Sequence, residues 1–107
     1  MDKAVHEKIQ ELIALIKDCS EYTAYEEQLQ RVKQVPGLKE QIDNFRRQNF
    51  ALQSSSDYSF EKIEVFEREY EKFRENPLVS DFLSAELAFC RMMQSITIQI
   101  TDAVEFE

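Results

Sequence analysis

After Asn76-Pro77 the chain runs to Val104 without another proline and without any glycine. Leu78, Phe82, Ala85, Phe89, Met92/Met93, Ile96, Ile100 and Ala103/Val104 recur there at three- and four-residue steps. That repeat puts side chains on one face of a helix. The stretch reads as one long helix over residues 77–104, about 42 Å long at the helical rise per residue. A compact domain of this size has a radius of gyration of about 13 Å, and hence a diameter of roughly 34 Å. Part of the apolar stripe should therefore overhang its own domain and need a partner. Within it, Ser95 to Thr101 alternates apolar and polar residues with β-branched side chains, the pattern of a half-buried strand. Helix is the preferred assignment, because Ile96, Ile100 and Val104 extend the preceding stripe and no partner strand is evident elsewhere. Ile98 then falls off the stripe, and an exposed isoleucine on an overhanging helix marks a place for an interface.

The rest of the chain agrees with an all-α fold. One Gly and two Pro among 107 residues leave too few turn formers for an all-β chain, and the length suits a single domain, residues 1–107. Val5, Ile9, Leu12, Ile13 and Ile16 make residues 3–17 an amphipathic helix, with Asp2 placed to cap it. The stripe then shifts phase to Tyr22, Tyr25, Leu29 and Val32, so a break near Asp18-Cys19-Ser20 and a second helix over 20–34 are expected, with Ser20 as its cap. Val35-Pro36-Gly37 is the next boundary. Leu38, Ile42, Phe45, Asn49 and Leu52 carry a third helix over 36–53. The polar run Ser54-Ser55-Ser56-Asp57 reads as a loop, and Phe60, Ile63, Phe66, Tyr70 and Phe73 as a fourth helix over 58–75. Five helices in an antiparallel bundle, ending in the long one, are the expected architecture. The density of aromatics after residue 45 suggests that the last three form the main packing layer.

Several chemistries are absent. A net charge of −8 and a pI near 4.7 oppose binding to nucleic acid or anionic lipid, which depends on clustered Lys and Arg. No apolar run approaches a membrane span, and the N-terminus carries acids and no cleavage site, so a cytoplasmic protein is expected. His6 is the only histidine, which removes paired Glu-x-x-His and HExxH metal motifs. Gly37 is the only glycine, so no phosphate-cradling loop can form. Cys19 and Cys90 lack ligand spacing and read most simply as reduced core thiols; a redox or cluster thiol shared with a partner is the other reading. The many carboxylates are interspersed with Lys and Arg, as on a solvated helix face, rather than isolated as an acid and base pair. Glu86 is more pointed, because a carboxylate inside an apolar stripe needs a cationic partner. Arg46, beside Phe45 on the third helix, is the candidate for a structural ion pair.

Taken in order, Ser20-Glu21-Tyr22-x-x-Tyr25, Val35-Pro36-x-Leu38, Ile42-Asp43-Asn44-Phe45-Arg46-x-x-Asn49, Glu69-Tyr70 and Asn76-Pro77-Leu78-Val79-x-x-Phe82-Leu83-x-Ala85-Glu86 form a pattern spanning nearly the whole chain. It resembles the YlbF/YmcA family of small helical bacterial proteins. The resemblance implies an all-helical, self-associating cytoplasmic protein without known catalytic activity. The family's best-described members look like regulators of competence, biofilm formation and sporulation that associate with one another in a complex influencing RNA processing. Some relatives carry a cysteine-containing C-terminal tail and have been tied to iron–sulfur clusters. The present sequence reaches Glu107 without that tail, and no cofactor is expected.

The expectation is a non-enzymatic regulatory protein acting through protein contacts, as a homodimer or higher homo-oligomer and with related family members in a regulatory complex. Leu78, Phe82, Phe89, Met93, Ile96, Ile98 and Ile100 are the candidate contact residues, with Arg46 and Glu86 as an orienting pair. The alternative is a small-ligand or metal-cluster module using Cys90 and the Met92/Met93 surface.

Overall fold

A computed structural model describes residues 1–54 and 59–104 and folds them into helices joined by short turns. These are α1 (Lys3–Asp18), α2 (Ser20–Lys33), α3 (Leu38–Ser54), α4 (Phe60–Glu69), α5 (Glu71–Glu75) and α6 (Pro77–Ala103). The all-α fold with a long C-terminal helix is as the sequence predicts. The expected start of the fourth helix at Tyr58, and most of the serine-rich loop, lie outside the described residues.

Local chemistry sets the boundaries. Asp2 accepts a hydrogen bond from the Ala4 N–H at 2.7 Å, which caps α1. Cys19, in extended conformation, breaks α1 from α2 and is itself the cap residue of α2, so Ser20 is the first helical residue rather than the cap. Gly37 has φ +79°, a left-handed conformation that glycine adopts without steric cost, and this delays α3 to Leu38 instead of residue 36. Ser59 accepts from the Lys62 N–H at the start of α4. Asn76 accepts from the Leu78 N–H at 3.0 Å and Pro77 occupies the first turn of α6.

The predicted helix over 58–75 is interrupted at Tyr70, whose backbone leaves helical geometry between α4 and α5. Tyr70 lies 5.1 Å from Phe45, centroid to centroid, and its hydroxyl donates to Gln48 Oε1 at 2.5 Å. Phe66 stacks on Phe45, and Phe73 packs tilted against it. The bend gathers three rings around one, a gain in packing that a straight helix would spread along its length.

The segment with strand-like alternation is helical throughout. Thr97 Oγ1 donates to the Met93 carbonyl at 3.0 Å, Thr101 Oγ1 to the Thr97 carbonyl at 2.9 Å, and Gln99 Nε2 to Ser95 Oγ at 3.0 Å. The polar side chains turn back on their own helix, which satisfies them without a sheet partner.

The most extensive pairing is α2 against α6, antiparallel: Cys19 meets Met92, Tyr22 meets Phe89, Tyr25 meets Phe89 and Phe82, and Arg31 approaches Asp81. Thus α2, not the fourth helix, is the main partner of α6. The start of α3 closes a core of Val32, Leu38, Ile42, Val79 and Phe82, with Tyr25, Leu29, Phe73, Leu78 and Leu83 around it. All of these residues lie between positions 25 and 83. No residue of α1 is buried, and none of α6 beyond Phe82.

The molecule is consequently long and thin, 51 × 38 × 19 Å, about two helix diameters thick. Its radius of gyration is 18.0 Å, against the roughly 13 Å of a compact domain this size. The accessible surface is 8358 Å². A compact monomer of the same mass exposes roughly 6,200 Å², so about 2,100 Å² more is open to solvent than a self-sufficient globule leaves.

Candidate interaction surface

Part of the excess surface lies at the end of the molecule away from the core; Phe50, Phe60 and Val65 of α3 and α4 are exposed as well. At that distal end α1, joined to α2 at the Cys19 break, brings its N-terminal turns close to Ile100 of α6. Ala4, Val5, Ile9, Leu12 and Ile100 line a shallow groove along this seam, almost free of polar atoms, with Lys8 at its edge. A second shallow groove, formed by Met93, Gln94, Thr97 and Ile98, lies on α6 itself. Val5, Ile9, Ile13, Met93, Ile98, Ile100 and Val104 are all exposed. Two helices cannot enclose an apolar stripe between them as a third or fourth helix would.

The distal part of α6 also lacks charge on every side: from Met92 to Thr101 there is no ionisable residue. A solvated helix face normally carries Lys, Arg, Glu or Asp. Because Thr97, Gln99 and Thr101 bond within the helix, the outer surface makes little demand for polar partners. Such a surface suits burial against protein.

The structure divides the predicted contact residues by position along α6. Phe82 is 0% exposed and belongs to the core, which removes it from any contact surface. Leu78 packs against that core, and Phe89 is held between Tyr22 and Tyr25 at 5.6 and 5.5 Å. Both serve the chain's own packing first, because α2 lies along that part of the stripe. Ile96 is half-buried, whereas Met93 (37%), Ile98 (56%) and Ile100 (53%) stand open. Val5, Ile9 and Ile13, which the sequence marks only as the apolar stripe of the first helix, join them as exposed apolar residues. The cue for them was an N-terminal stripe for which the sequence showed no covering element.

Arg46 and Glu86 are brought together, with Nη2 and Oε2 2.6 Å apart. The guanidinium also lies 5.6 Å from the centre of the Phe82 ring. Neither Nε nor Nη2 of Arg46 has a partner in hydrogen-bonding geometry, so the short contact is an ion pair rather than a directed hydrogen bond. It ties α3 to α6 at the edge of the core.

The cysteines are separated. Cys19 is half-buried and directs its thiol to Met92 Sδ at 3.6 Å, while Cys90 is exposed and not a core thiol. Cys90 and Met92 are two residues apart on α6, about 200° around the helix, so Cys90 lies away from Cys19. Among the described residues, no group of three or more His, Cys, Asp or Glu is placed to hold a metal ion, and no helix is long and apolar enough to cross a membrane.

Displaced proton affinities have local causes. The Asp43 carboxyl is held below the usual range chiefly by a 2.6 Å hydrogen bond from Lys39. Burial among rings pushes the Tyr70 phenol up, and the neighbouring Glu69 adds to it. Glu21 is lowered by its own backbone N–H at the start of α2, with help from Cys19. These three carboxyl and phenol groups lie at separate places on the fold and do not form an acid and base pair.

A family model described as control of competence regulator ComK, YlbF/YmcA, matches residues 5–105. The chain is also similar to a UPF0342 protein of Caldicellulosiruptor bescii, 24% identical over 113 residues that cover 96% of this chain and 90% of that protein. No solved structure matches.

Proposed function

This chain belongs to the YlbF/YmcA family, and from that premise we propose that it is a non-enzymatic regulatory protein in the control of competence, working by protein–protein contact and by self-association. The observation that supports this most is the uncored distal half. Its exposed apolar residues accompany roughly 2,100 Å² of surplus surface, whereas a standard stable interface takes about 800 Å² from each partner. One contact of ordinary size would not exhaust it. A homodimer or higher homo-oligomer, with room left for a related family member, fits that area.

The contact residues in this reading are Met93, Ile96, Ile98 and Ile100 of α6, joined by Val5 and Ile9 of α1. Replacing Met93 and Ile98 together by Asp puts four carboxylates into a symmetric contact while leaving the proximal core untouched. Wild-type protein should scatter light as an oligomer of the 12.7 kDa chain, and the double variant as a helical monomer. In the natural host, deletion of the gene should change transformation frequency, and the double variant should fail to restore it. A monomeric wild type, or full restoration by a monomeric variant, would refute the proposal.

A further inference from the structure

The uncharged stretch Met92–Thr101 is bounded by Arg91 on one side and Asp102 on the other. Both flanking side chains are exposed, and neither has an ion-pair partner among the described residues. Eleven residues separate them, a rotation within about 20° of three full turns, so they project from the same edge of α6 roughly 16 Å apart. The Met93, Gln94, Thr97 and Ile98 groove lies between them.

Two copies of such a helix can meet in two orientations. Side by side and parallel, Arg91 would face Arg91 and Asp102 would face Asp102. Antiparallel about a twofold axis between Ile96 and Thr97, each Arg91 faces the other copy's Asp102, and both ion pairs fall on the same rim. The apolar and uncharged residues between them then coincide, which matters for chains that each carry a net charge of −8 and repel one another elsewhere. The surface is thus self-complementary in one orientation only, as an isologous interface requires.

We propose that α6 pairs with α6 of a second copy in this antiparallel register, the Met92–Thr101 segments face to face, Arg91 of each chain bridging to Asp102 of the other. The exposed α1 stripe of each chain flanks the pair, so that two two-helix layers become one four-helix bundle. The inference rests on the self-association proposed above and adds its orientation, axis and polar code.

Sedimentation equilibrium of charge-swapped full-length chains tests it. Arg91→Asp and Asp102→Arg each place like charges opposite one another at both symmetric sites, and each should weaken dimerisation roughly tenfold. The double swap R91D/D102R restores opposite charges and should recover the wild-type affinity. Both positions are exposed, so helicity by circular dichroism should not change. In a Cys19→Ser/Cys90→Ser background, Thr97→Cys beside the axis should cross-link to itself on mild oxidation, whereas Ser84→Cys should not. A dimer indifferent to the swaps, or one not rescued by the double swap, overturns the register while leaving self-association standing. A chain that is monomeric at all concentrations overturns both.

Discussion

Arg46 and Glu86 offer an asymmetric test of how α3 is held to α6. Their exposures differ: the Arg46 side chain is 38% accessible and Glu86 20%. Removing one partner of a buried pair costs about 3–5 kcal/mol, because the survivor is left uncompensated, whereas exposed pairs are worth about 0.2–1 kcal/mol. This pair sits between those limits. Arg46→Ala strands the less accessible Glu86 and also removes the guanidinium from the Phe82 ring and the aliphatic stem from the core edge. About 2 kcal/mol should be lost. Glu86→Ala leaves an arginine that keeps its ring contact and reaches water, and should cost only about 1 kcal/mol.

Urea unfolding followed by far-ultraviolet circular dichroism, at one fixed protein concentration so that any association contributes equally, gives both values and the double variant. Arg46→Ala should lower Tm by about 8 °C or more and Glu86→Ala by about half as much, given that 1 kcal/mol shifts a domain near this size by about 4–8 °C. The double variant should cost less than the sum of the singles, with a coupling near 1 kcal/mol. If Glu86→Ala is as damaging as Arg46→Ala, or the two effects add without coupling, the pair does not tie the helices as argued.

Three further outcomes follow from other parts of the fold. At Gly37 a Cβ would meet nothing within 4 Å, so Gly37→Ala carries only the left-handed backbone penalty; chemical denaturation should register a loss of about 1 kcal/mol, and less for Asn. Because Lys39 lowers the Asp43 pKa in the folded state, the stabilisation is present above the ordinary carboxyl value and lost as pH falls through the depressed one. Asp43→Asn should therefore cost about 0.3–0.5 kcal/mol near neutrality and make the acid limb below about pH 4 shallower in a stability-versus-pH series. Two copies of charge −8 whose centres lie about 40 Å apart repel by roughly 1–2 kcal/mol at 10 mM salt and negligibly at 150 mM. Dimerisation should thus strengthen about tenfold over that range by analytical ultracentrifugation, and weakening by salt would show that ion pairs, not the uncharged strip, dominate the contact.

The periodicity of α6 could be read from the sequence because a stripe at three- and four-residue steps needs only one helix to be recognised. Which stretch of that stripe is covered depends on the neighbour, and neighbours are set by turns whose angles one chain of letters does not reveal. Phe82 and Ile100 hold equivalent positions in the repeat, yet α2 and α3 converge on Phe82 while α1 alone approaches Ile100. Tyr70 illustrates the same limit inside an element: its spacing continues a helix, but three rings converging on Phe45 outweigh the hydrogen bonds that the bend gives up. The Arg46 and Glu86 contact was more accessible to inference, because a carboxylate among apolar neighbours demands a cation and few were within reach of the core. Charge placement along the overhang works in the same way. A helix that had to stay solvated would carry charges through residues 92–101; this one confines them to Arg91 and Asp102. The arrangement is costly for a lone chain and favourable for a pair, and that difference in free energy is what the proposed self-association rests on.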